Sequence, residues 1–471
     1  MKKVLIFLLL LACICTFAAC DSGDRSDGVF IYSLCENSYY VVTGINTNVT
    51  SRELSIPESF QEKPVKGISS AFRDVRHQVQ VEKITLPDSI VFIEELAFEH
   101  FASLKTVVFS QNLKTIGASA FSDCTSLETI SLPEQMDSIG NRAFAGCTSL
   151  KNISMPMRMN SLGENVFMNC TSLSSLTIPE GIEEVSEDLC SGSSVTSITL
   201  PDSLSRIGSQ FSSALCGFAD CANLQEIRVG AGNPYFSCVD GVLYSEDGKT
   251  LVQYPPRLPG EQFVVPETVK SIGDNAFQGN LTLASIALPA GLEAIGEAAF
   301  QGCTRLAAIE IPHGISYIEG STFSYCTALT EVTLPDSVKK FCGSAFAYCT
   351  ALESIALPES IISIEDSVFL GCTALKEINI PSRVTRIACF SGCTSLEKIV
   401  LPDAVTRIAY DAFYGCTSLK EINIPEKVKY IDREAFYGCT ALTDIYIHNG
   451  IDVDTSAFEN CPNLTVHYIY S

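Results

Sequence analysis

The stretch Ser395–Thr440, SLEKIVLPDAVTRIAYDAFYGCTSLKEINIPEKVKYIDREAFYGCT, contains one sequence unit written almost twice. Each copy has an apolar segment ending in proline, a V-x-x-I segment, an Ala-Phe pair and a Gly-Cys-Thr turn. Corresponding residues lie 23 positions apart, as in the pairs Phe413 and Phe436, and Cys416 and Cys439. A fixed period of this length predicts a repeat protein in which each unit packs on its neighbours.

The same unit recurs through most of the chain, and its apolar pattern predicts the secondary structure. In each L-x-x-I-x-L/I segment apolar and polar residues alternate, which is typical of a strand with one buried face. Equivalent strands of successive units would stack in parallel, and the V-x-x-I segment would return along the other side. We therefore predict a β-rich, right-handed solenoid of 23-residue coils. Its far wall would be a ladder of phenylalanine rings that includes Phe121, Phe144 and Phe167.

Composition and charge restrict the possible partners. Hydrophobic residues make up 46% of the 471 residues and charged residues 18%, which is enough apolar material for a continuous core. The formal net charge is −23, and an acidic surface repels phosphate backbones. Nucleic acid is therefore not an expected partner.

The cysteines indicate a structural ladder. Of the 21 cysteines, those in the repeats mostly recur at one place in the coil, where a small apolar side chain would fill a narrow interior slot. Phe101, Gly192 and Asn280 take this place in other coils, so regular pairing is not expected and free buried thiols are favoured. A few disulfides are the alternative, and no C-x-x-C clamp predicts a metal site. The ladder comprises Cys124, Cys147, Cys170, Cys303, Cys326, Cys349, Cys372, Cys393, Cys416, Cys439 and Cys461. The cysteines off the ladder, for which pairing stays open, include Cys35, Cys190, Cys216, Cys238, Cys342 and Cys389.

The N-terminus predicts export. Residues 1–19 combine a basic start, an apolar run too short to span a membrane and small residues before Cys20, as in a signal peptide. Residues 16–20, Thr-Phe-Ala-Ala-Cys, resemble a bacterial lipoprotein box. That resemblance implies acylation of Cys20 and attachment to the membrane through lipid only, with an ordinary secretory signal as the alternative. Residues 20–28 are predicted to be a flexible tether, and residues 29–82 an N-terminal cap with a degenerate repeat.

The repeats are interrupted once. Regular coils are predicted over residues 83–230 and 266–471, the second range ending in a C-terminal cap. Between them, residues 231–265 contain Asp247-Gly248 between two alternating runs, which predicts an inserted β-hairpin. This hairpin is either a recognition loop, in which Tyr244 and Tyr254 are candidate partner-binding residues, or a structural brace.

The complete unit, L-x-x-I-x-L/I-P…V-x-x-I-G-x-x-A-F-x-G-C-T-S-L, resembles the BspA-type leucine-rich repeats of bacterial surface proteins. The resemblance covers residues 29–471, and the stretch DGVLYSEDGKTLVQYPP at 240–256 also recurs in that family. It implies a leucine-rich repeat array at the bacterial cell surface, here as an outer-membrane lipoprotein, that adheres to host-matrix or bacterial surface proteins. It supplies no catalytic residues.

The candidate binding residues are two pairs of tyrosines. Tyr325 and Tyr348 directly precede the ladder cysteine of successive coils, and Tyr414 and Tyr437 stand two residues before it. Each pair is expected to lie side by side, where it would either anchor a partner or cover the wall beside the phenylalanines. No nucleophile, phosphate-binding or metal-binding motif is present in the sequence, so no enzyme activity and no cofactor are expected. A stiff envelope spacer without a specific ligand is the alternative function, and the oligomeric state is not predicted.

Overall fold

The computed structural model describes residues 20–46, 50–70, 72, 80–186, 188–208, 218 and 220–469, with the backbone alone for 20–24. The predicted signal peptide and residues 209–217 lie outside the described residues. The chain divides into two compact units, Met1–Val195 and Thr196–Ser471. Both are built from the predicted coils.

One coil of the second unit shows how the repeat sequence folds. After the turn at Cys326, residues Glu331–Thr333 form a short strand that leads to Pro335. The N–H of Val338 donates to the carbonyl of Pro335 at 3.1 Å, and this turn sends the chain to a second strand, Lys340–Phe341. The chain then passes Phe346 and reaches Cys349 one coil further on. We call the strands before proline row A and the returning strands row B.

In the first unit, row A contains β4 (Glu53–Ser55), β7 (Lys83–Thr85), β9 (Thr106–Val108), β11 (Thr129–Ser131), β13 (Asn152–Ser154) and β15 (Ser175–Thr177). Row B contains β6 (Lys63–Ile68), β8 (Phe92–Ile93), β10 (Thr115–Ile116), β12 (Ser138–Ile139), β14 (Ser161–Leu162) and β16 (Glu184–Val185). Strands β1 (Cys20–Ser26), β2 (Phe30–Cys35) and β3 (Tyr39–Ile45) extend row B, and β5 (Ser59–Phe60) pairs with β6.

In the second unit, row A contains β17 (Ser197–Leu200), β19 (Glu226–Val229), β23 (Gln262–Val264), β25 (Ser285–Ala287), β27 (Ala308–Glu310), β29 (Glu331–Thr333), β33 (Lys398–Ile399), β35 (Glu421–Ile422), β37 (Asp444–His448) and β39 (Thr465–Ile469). Row B contains β18 (Arg206–Ile207), β22 (Thr250–Gln253), β24 (Ser271–Ile272), β26 (Ala294–Ile295), β28 (Tyr317–Ile318), β30 (Lys340–Phe341), β31 (Ser363–Ile364), β32 (Arg386–Ile387), β34 (Arg407–Ile408), β36 (Tyr430–Ile431) and β38 (Asp452–Val453). Strands β20 (Phe236–Val239) and β21 (Val242–Ser245) precede β22 in the same sheet.

Most successive strands of a row pair in parallel with an offset of one coil, as the sequence predicts. In row B, Ile116 is the partner of both Ile93 and Ile139, each 23 residues away. The glycines after these strands permit the close approach of neighbouring coils, because a Cβ at Gly117 would lie 2.4 Å from the backbone nitrogen of Glu95.

Stacked aromatic rings run through the core of each unit. In the first unit the rings of Phe98, Phe121, Phe144 and Phe167 follow one another with centroids 5.2, 5.5 and 6.2 Å apart. In the second unit the ladder runs from Tyr254 through Phe277 to Phe458, with successive centroids 4.9–5.9 Å apart. Each aromatic pair contributes about 0.5–1.5 kcal/mol beyond the area that it buries.

The ladder cysteines are free thiols, as predicted, and each has a specific hydrogen bond. The Sγ of Cys349 donates to the backbone carbonyl of Phe323 in the preceding coil at 3.1 Å, and the Sγ of Cys372 donates to that of Phe346 at 3.2 Å. Burial raises the pKa of Cys170, Cys372 and Cys416 to about 12, so these thiols stay protonated and keep donating at neutral pH. Among the other cysteines whose side chains the structure describes, Cys35, Cys190 and Cys221 are disulfide-bonded, whereas Cys238, Cys342 and Cys389 are free.

The predicted tether at residues 20–28 is wrong for most of its length. Residues Cys20–Ser26 form β1, which pairs antiparallel with β2 across a bulge between Asp21 and Arg25. Pairing of this kind needs only backbone groups, so a polar sequence does not prevent it. Asp27 fixes the turn, because its carboxylate accepts the N–H groups of Val29 and Phe30 at 2.8 Å and the hydroxyl of Tyr32 at 2.6 Å.

The interruption at 231–265 contains the predicted hairpin and a second one. Strands β21 and β22 pair antiparallel around Asp247-Gly248, and β20 and β21 pair antiparallel around Asp240-Gly241. Strand β22 also pairs in parallel with β24, so the meander continues the row B sheet of the second unit. This attachment gives the insertion the structural role of a brace.

Candidate protein-binding site

The two predicted tyrosine pairs are stacked on the surface formed by the turns between each core phenylalanine and the next row A strand. We call this surface, residues 324–330 in one coil, the turn wall. The rings of Tyr325 and Tyr348 are 4.6 Å apart at an angle of 15°, and those of Tyr414 and Tyr437 are 4.8 Å apart at 3°. The structure therefore confirms that equivalent places in neighbouring coils bring each pair together.

Tyr325 and Tyr348 have an unusual backbone conformation. Their φ angles are +61° and +59°, in the left-handed region. The corresponding place in the other coils of the second unit is usually glycine, at φ between +66° and +72°. Left-handed backbone costs an L-residue roughly 1–2 kcal/mol, and a bulky side chain there is an outlier. The coils that use tyrosine are thus less stable at this turn than coils that use Gly302, Gly371 or Gly392.

Stacking does not explain why tyrosine occupies these two places. One aromatic pair contributes about 0.5–1.5 kcal/mol, whereas two left-handed tyrosines cost roughly 2–4 kcal/mol together. The neighbouring coil has also adapted to the ring, since a Cβ at Gly371 would lie 2.6 Å from the Cδ1 atom of Tyr348. Tyr325 is 48% exposed, and Tyr348 is half-buried beside it. Local strain held in place by the fold and directed at solvent is typical of a functional surface.

Threonines and glycines surround this pair on the turn wall, and Arg305 of the preceding coil is ion-paired with Glu261. The turn threonines stack as the tyrosines do, and the hydroxyl of Thr350 donates to the carbonyl of Thr327 at 3.5 Å. The glycines at 302 and 371 flank the pair and add no side chains. A surface of this kind can take up an apolar or planar group of a partner and hydrogen-bond around it.

Tyr414 and Tyr437 have ordinary backbone conformations. Tyr414 is 37% exposed and Tyr437 is half-buried, next to the side-chain-free Gly415 and Gly438. In these coils the left-handed residues are Asp411, Gly415, Glu434 and Gly438, so glycine takes the place that Tyr325 and Tyr348 occupy in their own coils. This pair therefore adds exposed aromatic surface to the turn wall without backbone strain.

Tyr244 and Tyr254 are core residues, which corrects their interpretation as partner contacts. Their side chains are 6% and 2% exposed. Tyr254 occupies a phenylalanine place, because its ring stacks on Phe277 at 5.2 Å and its N–H donates to the carbonyl of Ala276 at 2.8 Å. The 23-residue spacing between Tyr254 and Phe277 predicts this core position from the sequence alone.

Other exposed aromatic residues of the second unit were not singled out from the sequence. The guanidinium of Arg407 lies 5.4 Å from the ring of Tyr430 and forms an ion pair with Asp432 at 2.6 Å. Tyr446 stacks on His467 at 4.7 Å, and the Nε2 atom of His467 is 2.8 Å from the carboxylate of Asp444. Arg407 and Tyr430 lie in row B, and Tyr446 and His467 lie in row A. The spacing of one coil between the two members of each pair was the sequence signal that could have identified them.

The described residues hold no side-chain cluster that could bind a metal ion. No three His, Cys, Asp or Glu side chains within this part of the chain come together as a metal site. The buried thiols are protonated and bound to carbonyls, so they are neither nucleophiles nor ligands. No helix long and apolar enough to cross a bilayer occurs among the described residues.

We predict that Tyr348→Gly is more stable than Tyr348→Ala by about 1 kcal/mol, because glycine adopts left-handed backbone without steric strain. At Tyr414 we expect the reverse order, with alanine more stable than glycine by roughly 0.5–1 kcal/mol, since glycine there only adds entropy to the unfolded chain. Urea denaturation of the four full-length variants gives both free-energy differences. An alanine variant at Tyr348 as stable as the glycine variant would show that the backbone strain is absent.

Comparison with known proteins assigns the repeat. The model of the BspA type leucine rich repeat region matches residues 69–193, 148–235, 259–376 and 342–465. No curated protein matches the chain. Among solved structures, the leucine rich cell surface protein from Faecalibacterium prausnitzii A2-165 is 26% identical, with a TM-score of 0.61 over 80% of this chain and 94% of that one.

Two further structures share the fold. The pneumococcal vaccine antigen PcpA is 21% identical, with a TM-score of 0.53 over 95% of this chain and 98% of that one. A leucine-rich repeat protein from Eubacterium ventriosum ATCC 27560 is 20% identical, with a TM-score of 0.50 over 93% of this chain and 94% of that one. Since the family model matches well over half of the chain, the protein belongs to the BspA-type leucine-rich repeat family.

Proposed function

We propose that this chain is a bacterial cell-surface protein that adheres to another protein through the turn wall of its second unit. Tyr325 and Tyr348 are the main anchors in this proposal, and Tyr414 and Tyr437 extend the contact. The observation that carries it is the stacked, solvent-facing pair of tyrosines held in left-handed backbone where most coils of the second unit use glycine. The partners we propose are host-matrix proteins or surface proteins of other bacteria.

Preorganisation is the physical basis of this function. Each tyrosine is held by its neighbour and by a backbone that the coil has already ordered, so little conformational entropy is lost when a partner binds. Tyrosine has a large amphipathic surface and is common at the energetic centres of interfaces. The role is non-catalytic in this proposal, because the candidate site is a surface without titrating nucleophiles.

The cell-surface location is supported by the similarity to the leucine rich cell surface protein of F. prausnitzii. We further propose that the mature chain begins at an acylated Cys20 and is an outer-membrane lipoprotein. Support for this comes from the sequence of residues 1–20, which contains an apolar run followed by Ala-Ala-Cys. Several acyl chains on one residue would anchor the protein firmly.

We predict that the double variant Tyr325→Gly/Tyr348→Gly lowers partner affinity at least tenfold. Each tyrosine is expected to contribute about 1–2 kcal/mol to the binding free energy, so the loss of both lowers affinity at least tenfold. Glycine is chosen because it avoids backbone strain in the variant. Purified full-length chain is tested against immobilised host-matrix proteins and bacterial surface extracts. The matched control is Tyr317→Ala/Tyr430→Ala, which removes two tyrosines of similar exposure from row B.

Unchanged binding of the glycine variant to every ligand that captures the wild type would contradict a role for this pair. No capture by any probe would favour the spacer function instead. The variant Tyr414→Ala/Tyr437→Ala, tested separately, measures the contribution of the second pair.

We predict that Cys20→Ser releases the protein from the membrane fraction of the producing bacterium. Mass spectrometry of the wild-type N-terminal peptide should show acyl groups on Cys20. Cys20 lies opposite Cys35 in the ladder between β1 and β2, and Cys35 is disulfide-bonded. A peptide in which Cys20 is unmodified or bridged to Cys35 would therefore contradict lipidation while leaving the adhesion proposal untouched.

A further inference from the structure

Row A of the second unit is interrupted beside the inserted meander. Strand β19 pairs in parallel with β17, and β23 begins a separate sheet with β25, β27 and β29. Between β19 and β23 the chain leaves row A and forms β20, β21 and β22. In the part of the chain that the structure describes, no backbone hydrogen bond joins β19 to β23. Strand β19 therefore has an open edge inside the array rather than at its end.

The register shows which groups of β19 form this edge. The N–H of Glu226 donates to the carbonyl of Thr196 at 3.1 Å, and the N–H of Gly230 donates to that of Leu200 at 3.1 Å. Backbone groups alternate along a strand, so those of Ile227 and Val229 point away from β17. Within the described residues their single hydrogen bond comes from the thiol of Cys238, whose Sγ is 3.0 Å from the carbonyl oxygen of Ile227.

A cleft of about 810 Å³ lies along this edge. Its lining includes Ile227 and Val229 of β19, Cys238, Asp240 and Gly241 at the turn between β20 and β21, and Leu258 and Pro259. Ser197 of β17 is also in the lining. The volume is within the range of ligand sites, which is about 300–1,000 Å³.

We propose that this cleft binds an extended peptide segment of a partner protein, which adds to β19 as a further strand. The available backbone donors and acceptors repeat at strand spacing, and the chemical complement of such a row is another extended backbone. The Cys238 thiol is a weak donor, so a peptide N–H would replace it at the carbonyl of Ile227 with a stronger hydrogen bond.

The charges at the cleft suit a peptide that is neutral or basic. Glu226 and Arg228 neutralise each other through two hydrogen bonds of 2.8 Å, which leaves Asp240 as the unbalanced charge of the lining. The net charge of −23 also disfavours acidic segments and nucleic acids at any surface of this chain. Side chains that alternate between the cleft floor and solvent would supply the sequence preference.

This site is separate from the tyrosine pairs, because none of its lining residues belongs to the turn wall at Tyr325 or Tyr348. The two proposals can fail independently. Peptide binding at the cleft should be unaffected by Tyr325→Gly/Tyr348→Gly, and adhesion through the tyrosines should be unaffected by changes at β19.

The test uses a displayed library of linear nine-residue peptides, selected on the full-length chain. We expect the selected peptides to bind Val229→Pro at least tenfold more weakly than wild type. Proline removes the N–H that faces the cleft and leaves the bonds to β17, which involve Glu226, Arg228 and Gly230. The matched control Val229→Thr keeps this N–H and should keep the affinity.

A second pair of variants tests the proposal without depending on the folding of the proline variant. Ser197→Trp fills the cleft from its floor and should lower affinity at least tenfold, whereas Ser285→Trp makes the same change at the equivalent place of β25 and should not. Hydrogen exchange of the wild type should show that bound peptide protects the amide of Val229. Failure to select any peptide, or equal affinity for Ser197→Trp and Ser285→Trp, would overturn the proposal.

Discussion

Wherever the next coil has a ladder cysteine, the backbone carbonyl of a core phenylalanine holds two neighbouring coils in register. That of Phe346 accepts the N–H of Cys349 in its own coil and the thiol of Cys372 in the next, both at 3.2 Å. Both lone pairs of a buried oxygen are thus satisfied, and a coil out of phase by even one residue would leave it short of a donor. Cysteine suits this place because it is small, apolar and still able to donate.

This constraint fixes the rest of the coil. When like residues lie over like, the phenylalanine rings stack, the short strands pair in parallel and the proline turns align. Apolar side chains then fill the interior without regular helix or long strands, and each coil is stable only against its neighbours. Departures from the repeat consequently mark places where something other than stability has determined the residue.

Two such departures carry the functional account. The first is the use of tyrosine at left-handed turns that glycine would occupy with less strain, which places Tyr325 and Tyr348 on the turn wall. The second is the inserted meander, which continues one row of strands and interrupts the other beside β19. In both places the ordered coils hold binding groups in position. These groups are tyrosine side chains on the turn wall and backbone N–H and carbonyl groups at the edge of β19.

The architecture follows from the sequence because a fixed period determines position as well as type. The cysteine ladder, the phenylalanine ladder and the side-by-side tyrosines were all predictable from spacing alone. The strand at Cys20–Ser26 was not, because pairing through backbone groups leaves little trace in side chains. Tyr254 is a candidate partner contact if the hairpin is a recognition loop, but its spacing from Phe277 places it in the core.

Some features of the site have no sequence signal. The left-handed φ of Tyr325 and Tyr348 became visible only in the structure, because tyrosine carries no preference for that conformation. The open edge of β19 likewise depends on where the chain goes after leaving row A. The disulfide bonds of Cys35, Cys190 and Cys221 depend on tertiary proximity, which spacing does not fix for cysteines outside the regular ladder.

The most direct test of register as the governing constraint is to compare two internal deletions by thermal unfolding. Removal of residues 350–372 takes out one complete coil, so the carbonyl of Phe346 receives the thiol of Cys393 and the ring ladder closes on Phe390. We predict a folded protein with a cooperative transition for this deletion, and loss of that transition when only residues 350–361 are removed. Equal tolerance of both deletions would contradict the account.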